Sequence, residues 1–379
     1  MPDYDVLIAG SGPAGCAAAL RLHSLGRDVC IVDTPAPTRL KPGESLPGAV
    51  LRLLQTLGIP ALEALMYPGT YEASTANAAA WGSDHYTQND AIRNPEGGGW
   101  HILRHEFDNG LRKIVLSRGI PIIPGKAGKL SPGHDVHTLT IENPGQPPKH
   151  IRSRWLIDAT GRAIAIARQF GATRQSLCEQ MAAVCWFHSP HTDTDRRTLV
   201  KSAPTGWYYT ALLPRGSQAQ GLRVFAFHGL PHHVARLVRD PQAMAEQVNA
   251  SRMLPYPIST ADFVSSPSNP GPIATGASFG RLCLPPNTSE VADQEPLHRW
   301  LATGDAALSF DPLSSQGIFF ALYSGIRAAE AIAQGTHQAM QAYHDKVSQV
   351  YEANRKSLKM LYTSELRYTQ EAYWKGWFG

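Results

Sequence analysis

The chain has 379 residues, 43% of them hydrophobic and 17% charged, which is the composition of a globular protein large enough for more than one lobe. Its formal net charge is only +4 and it has no lysine- or arginine-rich run, which argues against a nucleic-acid partner. No apolar run approaches the roughly 20 residues of a membrane span. Val6–Ala9 is also too short for a signal-peptide core, so we expect a cytoplasmic protein without a membrane partner. Its five cysteines lack the spacing of metal ligands, and we expect no metal site.

The N-terminal segment predicts a dinucleotide-binding unit. Tyr4–Ala9 is typical of a buried parallel strand and runs into the glycine loop Gly10–Gly15. A small-residue helix from Pro13 to about Leu25 and a second strand, Arg27–Val32, follow, and Asp33 ends that strand. Such glycines permit a tight turn and close approach of a pyrophosphate, while the terminal acid suits a ribose hydroxyl and argues against NADP. The residues of this unit that we expect at the cofactor are Gly10, Gly12, Pro13, Ala14, Gly15 and Asp33.

Three later segments belong with this unit. Trp100–Leu111 places Arg104 on a predicted helix. Arg154–Arg162 predicts a strand followed by a tight turn. Trp300–Gly317 combines a Gly-Asp pair with an Asp-Pro-Leu-Ser-Ser stretch, and a helix is predicted from about Gln316 to Gln334.

Together these motifs resemble the flavoprotein superfamily that includes p-hydroxybenzoate hydroxylase, geranylgeranyl reductases and flavin-dependent halogenases. The resemblance implies FAD as the cofactor, with Asp305 at the ribityl chain and Arg104 near the phosphate-ribityl region. It also implies that residues 311–317 lie along the isoalloxazine ring and that the helix starting near Gly317 directs its N–H groups at the ring edge, where negative charge develops on reduction. The further cofactor-binding residues that it implies are Arg39, Arg104, Gly161, Gly304, Asp305, Pro312 and Gly317.

The expected fold class is α/β, with a Rossmann-like FAD-binding domain of the glutathione-reductase type, a second antiparallel-sheet lobe for the substrate and a C-terminal helical tail. The FAD-binding domain is predicted to be discontinuous, with residues 1–60, 98–178 and 270–335. Residues 61–97 and 179–269 would form the substrate lobe, and residues 336–379 the helical tail. Segment 264–299 is rich in Pro, Ser and Gly, which predicts a loop.

Aromatic residues mark two places outside the FAD-binding motifs. Trp207 and Tyr209 are candidates for the substrate lobe, and they share one face of a predicted strand because neighbouring side chains alternate. The tail ends in an aromatic stretch, which fits either a helix that covers the FAD-binding domain or a lid that binds a partner or substrate. Its aromatic residues are Tyr362, Tyr368, Tyr373, Trp374, Trp377 and Phe378.

Three classes of function fit such a flavoprotein. The first is a monooxygenase that acts on an aromatic ring, in which the flavin supplies the reactive oxygen. The second is a halogenase. It is disfavoured because the Trp-x-Trp-x-Ile-Pro signature is absent and because no lysine occurs between Lys41 and Lys113, where the relay lysine is expected. The third is a non-oxygenating role, either a double-bond reductase or a flavin-bearing assembly factor without its own turnover.

The segment Gly43–Gly48 followed by Leu51–Gly58 bears on that choice. It looks most like the flavoproteins that accompany lysine ε-oxidase and glycine oxidase and mature their quinone cofactors. By that resemblance the substrate is a tryptophan inside a partner, a quinone-cofactor enzyme precursor, which is hydroxylated on the way to cysteine tryptophylquinone. A small-molecule aromatic hydroxylase stays open as the alternative.

Two carboxylates are candidates for catalysis. Glu44 lies in a loop that the superfamily places beside the flavin, so it is the first choice as acid or base. Asp311 is the second choice, although it also suits a residue that only shapes its Asp-Pro turn. No second dinucleotide motif is evident, so either NAD(P)H binds transiently or reduced flavin comes from elsewhere. The oligomeric state stays open.

Overall fold

The computed structural model describes residues 1–34, 40–90, 98–216, 221–264, 271–284 and 299–378. The helices in these ranges are α1 (Pro13–Ser24), α2 (Val50–Thr56), α3 (Arg104–Ser117), α4 (Pro231–Arg239), α5 (Pro241–Ser251), α6 (Gly317–Gln334), α7 (His337–Thr363) and α8 (Ala372–Phe378). The strands are β1 (Tyr4–Ala9), β2 (Val29–Asp33), β3 (Ser45–Leu46), β4 (Tyr71–Ala73), β5 (Ala76–Ala80), β6 (Thr87–Asp90), β7 (Trp100–Ile102), β8 (Ile122–Pro124), β9 (Lys126–Ser131), β10 (His137–Glu142), β11 (Lys149–Asp158), β12 (Thr173–Ser176), β13 (Met181–Ser189), β14 (Thr198–Ala203), β15 (Gly206–Leu213), β16 (Gly221–Gly229), β17 (Ile273–Gly276), β18 (Gly280–Cys283), β19 (Trp300–Ala302) and β20 (Leu308–Ser309).

The first large sheet has the strand order β8-β2-β1-β11-β10-β9, and β19 also pairs with β11. Strands β1, β2, β8, β11 and β19 run parallel, whereas β10 is antiparallel to both of its neighbours. Residues Val6–Ala9 of β1 are fully buried, as expected of a parallel strand covered on both faces. Because these parallel strands end at one edge, the segments after them meet there.

Helices α1 and α6 pack closely against each other, and small residues make this approach possible. A Cβ atom added to Gly325 of α6 would overlap the Ala14 carbonyl oxygen and would stand 3.0 Å from the Ala17 Cβ. At the start of the same contact, a Cβ on Gly304 would stand 2.7 Å from the Ala14 Cβ. This packing brings the N-termini of both helices to the carboxyl edge of the first sheet.

The second large sheet has the strand order β17-β13-β16-β15-β14-β5-β6. Its pairs are antiparallel, as predicted, except that β14 and β5 run parallel. The sequence prediction missed that pair because β5 comes from a distant part of the chain. Side chains alternate along β15 as predicted: Tyr208 packs with α4 and α5 on one face, and Trp207 and Tyr209 lie on the other.

The predicted loop 264–299 is partly wrong. Its described residues include two short strands: β17 pairs with β13, and β18 lies between β12 and β20. The composition of the segment favours a loop. Its backbone nevertheless pairs with the edges of neighbouring strands, and the local sequence does not show that these strands lie nearby. Two smaller sheets, β12-β18-β20 and β3-β7-β4, complete the strand pairing of the described residues.

The C-terminal tail is helical, as predicted, and its aromatic residues form part of the core. Tyr362, Tyr373, Trp374 and Trp377 are buried in one cluster with Trp207 of the second sheet. The Trp374 indole donates a hydrogen bond of 2.9 Å to the Ala203 carbonyl oxygen. The tail therefore packs on the second sheet as well as on the FAD-binding side, which goes beyond the predicted cover of one domain.

None of the helices in the described ranges combines the length and the apolar character that a bilayer crossing requires.

Candidate flavin-binding and active site

A cavity of about 790 Å³ lies at the carboxyl edge of the first sheet and extends to the second sheet. One side of it, here named the polar wall, is formed by loops after the parallel strands and by the starts of α1, α3 and α6. The opposite side, named the sheet wall, is formed by one face of the second sheet. Residues of the polar wall include Gly10, Gly12, Asp33, Lys41, Arg104, Arg112, Gly161 and Arg162. Residues of the sheet wall are Ala182, Val184, Tyr209, Val224, Ala226, His228, Thr275 and Gly276.

The glycine loop at the start of α1 leaves room where a phosphate group would lie. Gly10 has φ +105° and stands so close to the Ala159 carbonyl that no Cβ fits there. A Cβ on Gly15 would overlap the Gly10 carbonyl oxygen. Gly12, in contrast, lines the cavity and has no atom within 4 Å of its missing Cβ. Helix α1 begins after it without a capping side chain or an acid in its first turn, so its free N–H groups suit an anion.

Asp33 lies at the end of β2, as predicted, and is held by the glycine loop. Its Oδ2 accepts a hydrogen bond of 2.8 Å from the Ser11 backbone N–H and a second one from the Ser11 hydroxyl. Arg112 of α3 donates from Nε to that hydroxyl at 2.8 Å and lines the cavity. The sequence analysis missed Arg112, although Arg104, Asp108 and Arg112 recur every four residues and so share one face of α3.

Arg104 stands at the start of α3 beneath the loop that carries Glu44. Its Nε donates to Asp108 Oδ1 at 2.7 Å, and Lys41 Nζ lies 3.3 Å from Asp108 Oδ2. A Cβ on Gly43, which has φ +103°, would stand 2.6 Å from Arg104 Nη1. Only glycine fits this turn, and Arg104 in turn fixes the position of the loop before Glu44.

Gly304 and Asp305 follow the end of β19, and Asp305 lines the cavity. The Asp305 side chain is 40% exposed, and its Oδ2 lies 3.4 Å from Arg162 Nε. Arg162 also donates to the Ser278 and Phe310 carbonyl oxygens at 2.8 and 3.2 Å. The sequence motif contained Arg162, but nothing in its spacing showed that this cation lies beside Asp305.

The stretch before α6 forms a tight turn at the junction of the two walls. Asp311 Oδ1 accepts from the Leu313 backbone N–H at 2.9 Å, and Ser315 has φ +51°. Helix α6 then begins at Gly317 without a capping side chain, and no atom lies within 4 Å of the missing Cβ of Gly317. A second helix N-terminus thus offers unpaired N–H groups to the cavity.

Glu44 is a buried carboxyl group with a free oxygen. It is 3% exposed, and its Oε2 accepts from the Gly43 backbone N–H at 2.9 Å. Oε1 is buried and has no hydrogen-bond partner among the described residues. Burial raises the pKa of Glu44 to about 7, because the charged form loses its hydration, and the neighbouring Trp186 indole partly opposes that rise. Near neutral pH this carboxyl group can therefore both accept and donate a proton.

Trp207 and Tyr209 occupy different depths of the sheet wall. Tyr209 lines the cavity, and its hydroxyl lies 3.1 Å from the Ser45 hydroxyl oxygen. Trp207 lies behind His228, stacked at a ring-centroid distance of 3.7 Å and an interplanar angle of 6°. His228 lines the cavity, and burial lowers its pKa to about 3, so the ring stays neutral. Tyr209 is thus placed to meet a ligand, whereas Trp207 supports the wall.

The structure brings most of the predicted site residues to this one cavity. Those in its wall are Gly10, Gly12, Pro13, Ala14, Asp33, Glu44, Arg104, Gly161, Tyr209, Asp305, Asp311, Pro312 and Gly317. Gly15, Gly304 and Trp207 lie behind the wall, and Arg39 is outside the described residues. Charged cavity residues that the sequence analysis did not assign to the site include Lys41, Arg112, Lys126 and Arg162. No metal-binding cluster of His, Cys, Asp or Glu occurs in the described part of the chain.

The polar wall fits FAD. The uncapped N-terminus of α1 and several Lys and Arg side chains suit the pyrophosphate, and Asp33 suits a ribose hydroxyl. The uncapped N-terminus of α6 suits the negative charge of a reduced flavin ring. Gly12, Gly161 and Gly317 leave open space where any other residue would place a Cβ atom.

The profile of the FAD binding domain family matches residues 3–225, which is more than half of the chain. The chain belongs to this FAD-binding family. It is an FAD-dependent oxidoreductase, and the predicted cofactor is confirmed. The chain is 24% identical over 379 residues to LodB of Marinomonas mediterranea, which is named as an FAD-dependent oxidoreductase. That match covers 99% of this chain and 97% of LodB.

Two solved structures show the same fold. The myxobacterial chondrochloren halogenase CndH matches with a TM-score of 0.83 and 16% identity over 99% of this chain and 85% of its own. The peptidyl tryptophan dihydroxylase QhpG, essential for tryptophylquinone cofactor biogenesis, matches with a TM-score of 0.72 and 18% identity. The QhpG match covers 99% of this chain and 79% of QhpG. The predicted fold class is confirmed by these matches.

Proposed function

We propose that this flavoprotein is a monooxygenase that hydroxylates a tryptophan side chain in a partner protein, the precursor of a tryptophylquinone enzyme. The similarity to LodB along nearly the whole of both chains supports the proposal, as does the fold shared with QhpG, which acts on peptidyl tryptophan. Both agree with the motif resemblance of the segment around Glu44.

The observation that carries the proposal is the free carboxyl oxygen of Glu44 beside an apolar wall. Ala182, Val184, Val224 and Ala226 have small side chains and leave space between the two walls for a flat aromatic ring. An indole in that space needs an acceptor for its N–H group and a base for the proton that the ring carbon loses. Glu44, with its pKa of about 7 and its unpartnered Oε1, suits both tasks.

In such a reaction each hydroxylation consumes O₂, two electrons and two protons, and releases one water while C–H becomes C–OH. Bound FAD supplies the chemistry that activates oxygen, and NAD(P)H or free reduced flavin supplies the electrons. The chain positions the ring, holds the proton at Glu44 and excludes water through the sheet wall. Tyr209, on the same wall, would contact the ring edge.

Halogenation is the second candidate, because CndH and other structural matches are halogenases. That chemistry uses a lysine beside the substrate. Among the described residues, only Lys41 and Lys126 line the cavity, and neither lies on the sheet wall. Lys41 is paired with Asp108 next to Arg104. Because none of the described residues of the sheet wall is a lysine, this wall favours hydroxylation over halogenation.

Co-expression with a candidate precursor protein, sought among the genes that flank this one, tests the proposal. Peptide mass spectrometry is expected to show one or more added oxygen atoms on a tryptophan of that partner, and none when this protein is omitted. An unmodified partner together with hydroxylation of a free indole or phenol would establish a small-molecule hydroxylase instead. A mass gain that depends on halide would establish a halogenase. A stable complex without any modification would leave only an assembly role.

A further inference from the structure

Asp311 belongs to a buried network that joins the cavity to the C-terminal tail. The Tyr362 hydroxyl of α7 donates to Asp311 Oδ2 at 2.9 Å and also lies 3.2 Å from Gln180 Oε1. The Tyr373 hydroxyl of α8 donates to Gln180 Oε1 and lies 3.4 Å from the Tyr362 hydroxyl. Asp311 and Tyr362 are completely buried, so these four side chains must satisfy one another without bulk water.

The orientation of the Gln180 amide is fixed by its acceptors. Its Nε2 lies 3.3 Å from Asp311 Oδ2 and 3.5 Å from the Ala277 carbonyl oxygen, and both groups accept hydrogen bonds. Oε1 must therefore face Tyr362 and Tyr373, which agrees with its role as their acceptor.

This geometry accommodates both protonation states of Asp311. When Asp311 is charged, Tyr362 donates to its carboxylate and Tyr373 donates to Gln180. When Asp311 is protonated, its O–H donates to the Tyr362 oxygen, and the Tyr362 hydrogen turns to Gln180 Oε1. Only hydroxyl hydrogens rotate between the two arrangements, and every heavy atom keeps a hydrogen-bond partner.

The charged and titratable groups around Asp311 come from separate elements. Burial raises its pKa to about 6, while hydrogen bonds from Leu313, Tyr362 and Gln180 and the charge of Arg162 oppose the rise. Tyr373 and Cys178 also face it, and burial raises the pKa of both, so both stay neutral near pH 7. The positive charge of Arg162 therefore favours the charged form of Asp311.

We propose that Tyr362 is a positioning residue that lets Asp311 exchange its proton without movement of the cavity wall. The C-terminal tail thereby sets the charge next to the bound isoalloxazine ring, although no tail residue reaches the cavity itself. This inference rests on the binding of FAD with its isoalloxazine ring along residues 311–317, as the family resemblance implies, but it does not depend on tryptophan as the substrate.

The test is a pH titration of the full-length, FAD-loaded protein without substrate. Infrared difference spectra follow the C=O band of protonated Asp311, assigned by its loss in Asp311→Asn, and the flavin absorbance is recorded in parallel. Tyr362→Phe removes a hydrogen bond from both forms of Asp311, but the bond to the charged form is the stronger one, so both midpoints are expected to move upward by about one pH unit. Tyr373→Phe frees Gln180 to accept from Tyr362 and is expected to give a smaller shift in the same direction.

The matched control is Tyr351→Phe, which changes another buried tyrosine of α7 that stacks on Phe279 and takes no part in the network. It is expected to leave both midpoints unchanged. The inference is wrong if Tyr362→Phe and Tyr373→Phe titrate like the wild type, or if Tyr351→Phe shifts the midpoints equally. Should Tyr362→Phe not fold, Tyr373→Phe decides alone. Because no substrate is present, absence of tryptophan hydroxylation would not affect this result.

Discussion

The two walls of the cavity differ in how they hold polar groups. The cations of the polar wall are paired with or hydrogen-bonded to other protein groups. Arg104 pairs with Asp108, and Arg112 donates to the Ser11 hydroxyl. The sheet wall is mostly apolar and carries no charged side chain among its described residues, and the carboxyl groups at its margin, Glu44 and Asp311, are buried with raised pKa values. The difference teaches that binding of an anionic cofactor and proton transfer require opposite surroundings within one cavity.

The two buried carboxyl groups also differ from each other. Asp311 has hydrogen-bond partners on both oxygens, whereas Glu44 keeps Oε1 free. A carboxyl group with partners on both oxygens can adjust the local charge, whereas one with an unpartnered oxygen can still accept a further hydrogen bond. We therefore expect Glu44 to affect turnover more strongly than any residue of the polar wall.

Glu44→Gln is expected to give the largest effect. The amide keeps the shape of the side chain but cannot take a proton, so turnover is expected to fall by about 100-fold or more. FAD binding should stay within about twofold, measured by flavin fluorescence titration. The matched control is Glu246→Gln on exposed α5, which should leave both values unchanged. A variant with full turnover would remove Glu44 from the proposed mechanism.

The pH dependence of the free energy of unfolding tests the burial of the two carboxyl groups, Glu44 and Asp311. The pKa of Glu44 is raised from 4.5 to about 7, so the folded apoprotein keeps a proton that the unfolded chain releases. The free energy of unfolding is therefore expected to fall between about pH 5 and pH 7, by up to about 3 kcal/mol from this residue. Asp311 adds a change of the same sign at slightly lower pH. Urea unfolding should show a flatter profile for Glu44→Gln, and an identical profile would contradict the burial argument.

Gly12→Ala breaks the polar wall without straining the chain. Gly12 has φ −70° and no atom within 4 Å of its missing Cβ, so the apoprotein should keep its melting temperature. The added methyl group projects into the cavity, and the Kd for FAD is expected to rise by about tenfold. Gly376→Ala, which also meets no atom within 4 Å, is the control and should bind FAD normally. Unchanged affinity for Gly12→Ala would mean that the pyrophosphate lies elsewhere.

Asp305→Ala is expected to have the smallest effect. Asp305 is 40% exposed and already paired with Arg162, so its contact with the ribityl chain is partly screened. We expect a rise of about threefold to tenfold in the Kd for FAD, since one hydrogen bond is lost. Isothermal titration calorimetry would measure it. Equal affinity in the variant and the wild type would show that Asp305 does not contact the ribityl chain.

The sequence alone determined the parts of this protein that local pattern specifies. The glycine loop Gly10–Gly15, the strands on either side of it and helix α6 were predictable, because their glycines, apolar runs and small residues act within a few neighbouring positions. It also pointed to Glu44 and Asp311, but not to the burial that raises their pKa values.

Only the tertiary structure decided which distant residues meet. The pairing of β14 with β5 and the contact of Tyr362 with Asp311 join segments far apart in the chain. Such contacts depend on how sheets and helices pack, since a side chain's partners and its exposure to water are not set by its own neighbours in sequence. From the sequence, the aromatic tail could have been a lid. Only the packing of the folded chain shows that it is part of the core.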